Sequence, residues 1–192
     1  MEKDLNHYVK SYKIISDEKC KEIIKNIENL AWQQHEFYDV ETGTSEPKSG
    51  ERELDVAVLP ITMETYQIRE FVMQSIWDAY KNYTDDFNFN WWKSWQGFTE
   101  VRFNRYKETR IMAEHCDHIH SIFDGERKGI PIMTALGLLN DDFQGGEFVM
   151  FGDTVTPFKA GEIKIFPSCF LYPHRIDPVT SGTRYSFVSW AW

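Results

Sequence analysis

The sequence is short of the features that would suggest a disulfide framework or a structural zinc site. It has three cysteines in 192 residues, and no two of them form a CxxC pair. An odd number at unrelated spacings excludes a conserved pattern of bridges. We therefore predict that Cys20 and Cys169 are small buried thiols.

Long apolar runs and an excess of basic charge are also absent. No apolar run approaches the roughly 20 residues that span a bilayer. The first residues, MEKDLNHYVKSY, lack the basic-then-apolar layout of a signal peptide, so we expect a cytoplasmic protein with no membrane partner. With 21 Lys and Arg against 30 Asp and Glu, the net charge is −9. Such a chain is poorly suited to phosphate backbones, so we expect no nucleic-acid partner.

The first third of the chain has a helical pattern. Ser16 is a suitable N-cap with two acidic residues after it, and apolar residues then recur at helical spacing. We predict a second helix over 63–83. Residues 39–55, DVETGTSEPKSGERELD, are predicted to be a mobile loop, either a solvated connector or a lid over a substrate. The predicted buried stripes consist of Cys20, Ile23, Ile24, Ile27, Leu30 and Ala31 in the first helix, and Ile68, Phe71, Val72, Ile76, Trp77 and Tyr80 in the second.

From Trp92 onward the pattern changes to short strands rich in β-branched and aromatic residues, with Gly, Asp and Pro between them. Many short strands closing a chain favour a sandwich or jelly roll with the helices on one face. The predicted fold class is mainly β with a helical annex (α+β), in one domain over 1–192. Residues 1–97 would supply helical support and a substrate loop, and 98–192 the β core. The predicted strands lie in FTEVRFNRYK, PIMTALGLLN, GEFVMFG, GEIKIFPS and RYSFVSWAW.

A cluster of metal-ligand side chains lies in MAEHCDHIHSIF, residues 112–123. In a strand, His115 and Asp117 share one face, because side chains alternate. They would supply two members of a 2-His-1-carboxylate triad, the arrangement of non-haem Fe(II) oxygenases. An HxD tripeptide alone is a weak signal. A second histidine in the strand-rich half, outside the cluster, is His174, whereas His7 and His35 are expected to be surface residues.

Three ligands on an octahedral ion leave positions for a bidentate 2-oxo acid and for dioxygen. A 2-oxo acid with a second carboxylate needs a cationic anchor, and Arg binds carboxylate bidentately. Arg184 lies ten residues after His174, at the start of the last long strand.

With these residues in place, residues 98–192 resemble the Fe(II)/2-oxoglutarate oxygenases of the prolyl 4-hydroxylase-like group. The motifs that carry the resemblance are His115-x-Asp117, TALGLLNDDFQGGEFVMF, AGEIKIFPS and HRIDPVTSGTRYSFVSWAW. The resemblance implies a double-stranded β-helix, a distorted jelly roll with the iron inside one end. It also implies that His115, Asp117 and His174 bind Fe(II), that Arg184 pairs with the distal carboxylate of 2-oxoglutarate, and that O2 is consumed, with ascorbate as a reductant.

Further site residues are implied by the same resemblance. Tyr106 matches a tyrosine that helps to hold the cosubstrate, and Trp190 matches a tryptophan at the pocket wall, although a core position suits Trp190 equally well. Some family members place a second tyrosine where this chain has Leu138. The hydroxyl of Thr134 would then be a further cosubstrate contact.

The position in the family implies a prolyl residue of a peptide or protein as the substrate. Trp92 in FNFNWWKSWQGF offers an aromatic face for a proline ring, although packing of the helices on the sheet would also explain it. His120, in the loop after Asp117, is a further candidate substrate contact.

Four other functions are alternatives to prolyl hydroxylation. A nucleic-acid demethylase of the same superfamily is disfavoured, because that branch usually has its arginine farther from the distal histidine and because this chain is acidic. Hydroxylation of a free amino acid or other small molecule uses the same core residues and stays open. A cupin-like binding module without catalysis would not need His115, Asp117 and His174 together with Arg184. A zinc hydrolase would use the three ligands but leave Arg184 unexplained.

Overall fold

The computed structural model describes residues 4–39, 41–63, 65–88, 97–117 and 130–192. Two α-helices, fifteen strands and two short 3-10 helices are formed in these ranges. The α-helices are α1 (Asp17–Ile27) and α2 (Tyr66–Phe87). The strands are β1 (Lys10–Lys13), β2 (Gln33–Gln34), β3 (Phe37–Asp39), β4 (Thr44–Glu46), β5 (Asp55–Val58), β6 (Arg102–Tyr106), β7 (Met112–His115), β8 (Met133–Leu138), β9 (Gln144–Gly145), β10 (Phe148–Met150), β11 (Thr154–Val155), β12 (Glu162–Pro167), β13 (His174–Ile176), β14 (Val179–Ser181) and β15 (Arg184–Ala191).

Two antiparallel sheets form the body of the protein. The larger has seven strands in the order β1-β12-β8-β15-β6-β5-β2, and the smaller has four in the order β11-β10-β13-β7. The expectation that the first third is helical is therefore only partly right, because β1, β2 and β5 complete the larger sheet. Strand β1 pairs with β12, and strand β5 pairs with β6. These pairings supply backbone hydrogen-bond partners that β12 and β6 would otherwise lack on those sides.

The larger sheet has two buried faces of different character. Phe103, Ala135, Ile163 and Phe187 pack on the helices. Their neighbours in sequence point to the other sheet, where Leu136 and Val188 meet apolar side chains of β10 and β13. Strand alternation thus separates a helix-facing core from an interior between the two sheets.

The helices agree with the expected caps but not with every expected buried position. The hydroxyl of Ser16 accepts a hydrogen bond from the backbone N–H of Lys19 at 3.2 Å, as an N-cap does. Helix α1 ends at Ile27, so Ala31 lies beyond it and is exposed, contrary to expectation. Trp77 is also exposed, at 43%, and its ring stacks on Phe98.

Small residues on the buried face of α2 explain why Trp77 is exposed. Its buried stripe runs through Ser75, Ile76 and Ala79 to Tyr80, which lets the helix approach the sheet closely. Trp77 is rotated about 100° from Ile76 around the helix axis and therefore falls outside that stripe. The helix itself is displaced from the predicted range, beginning at Tyr66 and ending at Phe87.

The predicted loop over 39–55 is in part ordered structure. Strand β4 pairs with β3, and Glu53 and Leu54 are fully buried before β5 begins. Residues 41–50 are mostly exposed, and Arg52 is exposed as well. His35, expected at the surface, is also buried, and that burial lowers its pKa to about 3. Both predictions failed because β2 pairs with β5 and this pairing folds the segment onto the sheet. The paired residues are far apart in sequence, so no local pattern indicates the contact.

The predicted strands and one of the two predicted buried thiols are confirmed. Cys20 is buried, whereas Cys169 is only partly buried. The strands predicted after Trp92 correspond to β6, β8, β10, β12 and β15. No helix in the described part of the chain is long and apolar enough to cross a membrane.

A close approach between β8 and β15 requires a glycine at position 137. A Cβ atom there would lie 2.0 Å from Cζ of Phe187, the residue paired with it across the sheet. We expect Gly137→Ala to lower the free energy of unfolding by about 1–3 kcal/mol, because the ring must move within a packed core. Urea denaturation measures this change, and Gly137→Ala should cost less stability in a Phe187→Leu background, where the ring that the new methyl group meets is gone. Equal stabilities of Gly137→Ala and the wild type would contradict the packing argument.

Candidate metal centre

The three predicted metal ligands come together between β7 and β13. His115, the last residue of β7, is paired directly with His174, the first residue of β13. Asp117 follows two positions later, and its Oδ1 lies 3.4 Å from Nε2 of His115 while its Oδ2 lies 3.8 Å from Nε2 of His174. One ligand atom from each residue lies within 4.8 Å of the others.

Backbone carbonyls orient both imidazole rings. Nδ1 of His115 lies 2.8 Å from the carbonyl oxygen of Ala113, and Nδ1 of His174 lies 3.1 Å from that of Tyr172. A carbonyl oxygen only accepts, so each Nδ1 carries the proton and each Nε2 presents a lone pair. This tautomer, fixed by the other ring nitrogen, is the one that a metal-binding histidine uses.

Burial and charge keep His174 and Asp117 in metal-binding protonation states. Burial, together with His115, lowers the pKa of His174 to about 4, so its imidazole is neutral at pH 7. Burial alone would raise the pKa of Asp117, but His174, His115 and Thr134 hold it well below its usual range. Two imidazoles and a carboxylate are a donor set that suits a divalent first-row metal such as Fe(II).

A hydroxyl pair supports the carboxylate of Asp117. The hydroxyl of Thr134 donates to Oδ2 of Asp117 at 2.6 Å, and Oγ of Ser168 lies 2.5 Å from Oγ1 of Thr134. Because Thr134 has used its proton on Asp117, Ser168 is the donor of the second bond. The expected contact of Thr134 with a cosubstrate is not tested by these bonds, whereas its contact with Asp117 is direct.

Arg184 is buried in the interior between the sheets, with 1% of its surface exposed. Its guanidinium donates to Oγ of Ser186 at 2.9 Å and lies over the ring of Tyr106, 5.0 Å from the centroid. No carboxylate of the described residues forms an ion pair with it. A buried cation without an acidic partner is costly, so the position favours an anionic ligand.

One cavity joins the candidate metal ligands to Tyr106, the residue whose ring lies under Arg184. It is lined by the three candidate metal ligands, by Tyr106, Thr134 and Trp190, and by Arg102, Asn104 and several apolar residues. Arg102 and Asn104 were not among the predicted site residues. Strand alternation in the sequence could have identified them, because positions 102, 104 and 106 of one strand share a face. Trp92 and His120 lie outside the described residues.

Comparison with known proteins agrees with this geometry. Residues 101–192 match the model of the 2OG-Fe(II) oxygenase superfamily. A PKHD-type hydroxylase of Idiomarina loihiensis is 34% identical over 93 residues, which cover 47% of this chain and 40% of that protein. The chain thus spans less than half the length of the curated relatives that it matches.

The match over residues 101–192 agrees with the resemblance to Fe(II)/2-oxoglutarate oxygenases found in the sequence. The description of this superfamily names both the metal and the cosubstrate that were expected from the sequence. The cluster of His115, Asp117 and His174 is a possible iron site. The prediction of the family is therefore confirmed. The roles of the individual site residues stay predictions.

Solved structures of the superfamily share the fold over nearly the whole chain. The viral collagen prolyl hydroxylase from Paramecium Bursaria Chlorella virus-1, in its 2OG complex, has a TM-score of 0.65 at 16% identity and covers 96% of this chain and 94% of its own. A prolyl hydroxylase from Trichoplax adhaerens, in complex with a peptide fragment of the hypoxia inducible factor oxygen degradation domain, has a TM-score of 0.69 at 12% identity, covering 96% and 83%. The predicted double-stranded β-helix is thereby confirmed.

The bond from Thr134 to Asp117 gives a test of the metal centre. Thr134→Val keeps the shape of the side chain but leaves Oδ2 of Asp117 without its donor. Loss of such a supporting bond typically weakens metal binding about 10- to 100-fold. Anaerobic calorimetry with Fe(II) measures the Kd, and Thr134→Ser, which keeps the hydroxyl, should stay close to the wild type. An unchanged Kd in Thr134→Val would show that the bond does not position the carboxylate.

Proposed function

We propose that this protein is an Fe(II)- and 2-oxoglutarate-dependent dioxygenase that hydroxylates a prolyl residue in a peptide or protein. The overall reaction converts 2-oxoglutarate, O2 and the substrate C–H into succinate, CO2 and the hydroxylated product. The observation that carries the proposal is the cavity lined by His115, Asp117, His174 and Tyr106, with the buried guanidinium of Arg184 lying over the ring of Tyr106.

The ligand set fits Fe(II). His115, Asp117 and His174 would hold the metal through two Nε2 atoms and a carboxylate oxygen, and three protein ligands leave coordination positions open. When bound, Fe(II) supplies the activation of dioxygen that an unactivated C–H bond requires, with 2-oxoglutarate as the source of two electrons.

The chain's own residues would bind and orient the cosubstrate. The guanidinium of Arg184 would pair with its distal carboxylate. Burial raises the pKa of Tyr106, so its hydroxyl remains protonated and can donate a hydrogen bond. Apolar neighbours such as Leu136, Ile176 and Val188 would exclude water from the cavity.

Several observations support a peptidyl substrate. Prolyl hydroxylases recur among the structural neighbours, and one of them is in complex with a peptide. In this chain Trp190 lines the cavity. The β3–β4 hairpin lies beside the metal centre, where the ring of Phe37 is 5.5 Å from that of His115. A hairpin with an exposed tip at this place would be able to contact an extended peptide, as the lid hypothesis requires.

We also propose that residues 1–192 form one domain. Strands from both halves of the chain pair in the larger sheet, which supports this division. A zinc hydrolase remains a poor alternative, because hydrolysis gives no reason for a buried Arg184 without an acidic partner.

Mass spectrometry of peptides tests the reaction. The purified chain is incubated with Fe(II), ascorbate, 2-oxoglutarate and proline-containing peptides, and succinate is measured in parallel. We expect a mass gain of one oxygen atom confined to prolyl residues. Asp117→Ala should abolish the product, because it removes both a ligand and a negative charge. No succinate with any peptide or amino acid, together with no binding of 2-oxoglutarate, would contradict the proposed function.

Arg184 gives a separate test of the cosubstrate site. We expect Arg184→Gln to raise the Kd for 2-oxoglutarate roughly 10- to 100-fold, since a hydrogen bond to a charged group is worth about 1.5–3 kcal/mol. Calorimetry of the Mn(II)-loaded protein measures this Kd without turnover. Arg184→Lys, which keeps the charge but loses the bidentate geometry, should lie between the two. If Arg184→Gln binds 2-oxoglutarate as tightly as the wild type, the anchor lies elsewhere.

A further inference from the structure

We infer that Arg102 is a substrate-binding residue and that the substrate carries a carboxylate close to the carbon that is hydroxylated. This inference rests on the proposed function and narrows its substrate class. The carboxylate would belong to an acidic residue beside the proline or to a free C-terminus.

Arg102 lies on the cavity-facing side of β6. Positions 102, 104 and 106 alternate with Phe103 and Arg105, and all three line the cavity that contains the candidate metal ligands. Asp117 is close enough to influence the pKa of Arg102, although the two form no ion pair within the described residues. The guanidinium therefore lies near the reacting centre rather than on the outer surface of the sheet.

Within the described residues, the guanidinium of Arg102 has no acidic partner. Its Nε is buried without a hydrogen-bond partner among them, and the guanidinium lies over the ring of Trp190, 5.0 Å from the centroid. Burial lowers the pKa of Arg102, but an arginine stays charged at neutral pH. A desolvated guanidinium with an unused donor is suited to an anion that enters and leaves, because no resident carboxylate competes for it.

Two further unpaired polar atoms lie in the same cavity wall. Nε1 of Trp190 and Oδ1 of Asn104 are both buried without a partner, and Asn104 is only 3% exposed. The indole N–H is a second donor next to Arg102, whereas the amide oxygen can accept a bond from a backbone or amine N–H of the substrate. Buried polar groups are nearly always paired in a complete structure, so this set indicates a ligand.

The cosubstrate does not account for Arg102. Strand pairing sets Arg184 opposite Tyr106 and Val188 opposite Arg102, so the two arginines are four residues apart along the ladder, about 13 Å. Arg184 lies over Tyr106 and towards Phe143, while Arg102 lies over Trp190, at the opposite end. Four covalent bonds separate the two carboxyl carbons of 2-oxoglutarate. Two residues of extended polypeptide contain six backbone bonds and span about 7 Å, so the distance between the two carboxyl carbons is shorter than that. A molecule anchored at Arg184 therefore leaves Arg102 for the substrate.

The charge of the whole protein makes this local cation informative. A net charge of −9 disfavours the approach of anions in general. An acidic substrate would be selected only by a specific cation inside the cavity, and a planar guanidinium matches a carboxylate in two parallel bonds.

Matched peptides test the inference. One octapeptide has a single proline flanked by glutamates, and its partner has glutamines in their place. Each is made with a free and with an amidated C-terminus, and L-proline is compared with L-prolinamide. The wild type should hydroxylate one carboxylate-bearing probe with a kcat/KM at least tenfold above that of its neutral counterpart, as expected for a charge-assisted hydrogen bond. Whether the side-chain pair or the C-terminal pair shows the difference identifies the source of the carboxylate.

Arg102→Met should remove this preference, and Arg102→Lys should retain part of it. Peptide binding to the protein loaded with Mn(II) and 2-oxoglutarate provides a readout without turnover, and the Kd for 2-oxoglutarate should change less than threefold in Arg102→Met. The control is Arg105→Gln, on the same strand but the opposite face, where the arginine pairs with Asp55. It should keep the preference even where it lowers stability.

The outcomes separate this inference from the proposed function. Equal hydroxylation of charged and neutral probes by the wild type would overturn the role of Arg102 and leave prolyl hydroxylation intact. A large loss of 2-oxoglutarate affinity in Arg102→Met would also overturn it, by assigning Arg102 to the cosubstrate. If no probe is hydroxylated at proline but free amino acids stimulate succinate release more than their amides do, the carboxylate preference stands and the prolyl substrate is wrong.

Discussion

The pairing of β7 with β13 is the interaction on which the metal centre depends. These strands place His115 directly opposite His174, although the residues are far apart in the sequence. Asp117 comes into range because the chain leaves β7 just after His115. Everything else at the site either orients these side chains, as the carbonyls of Ala113 and Tyr172 do, or adjusts their charge, as Thr134 does.

The second constraint is the alternation of β6 and β15 between two environments. Phe103 and Phe187 pack towards the helices, and Gly137 lets that layer close tightly. The intervening positions place Arg102, Asn104 and Arg184 in the interior between the sheets. Burial of the apolar face stabilises the sheet. The polar face can therefore hold buried charges that do not themselves stabilise the fold. Stability and function thus reside on opposite sides of the same two strands.

Much of this arrangement was predictable from local pattern. The β strands after Trp92, the cap at Ser16 and the likeness to a known superfamily all depend on residues close together in sequence, or on motifs with a fixed spacing. What failed depended on tertiary contacts. The burial of His35 and Leu54 depends on β2 and β5 joining the sheet, which no periodicity over those two short strands reveals. Trp77 was misplaced because hydrophobicity alone does not show that Ser75 and Ala79 form the contact face of α2. Arg102 was overlooked for a different reason. The resemblance implied only Tyr106 on this strand, although strand alternation places Arg102 on the same face.

The electrostatics of the interior follow from these placements. Arg102 lines the cavity of the candidate metal centre, and Arg184 lies over Tyr106 in its wall, in a protein that is acidic overall. Asp117 is the carboxylate among the residues that line the cavity, and a bound metal would take up its charge. Further negative charge must then come from ligands, because buried cations without partners are unfavourable. Under the proposed function, a dianionic cosubstrate at Arg184 would supply part of it, and the register of β6 and β15 separates Arg102 from that anchor. The cavity would then be best balanced by a second anionic ligand, so that charge, as well as the shape of a proline ring, would determine the substrate that we propose.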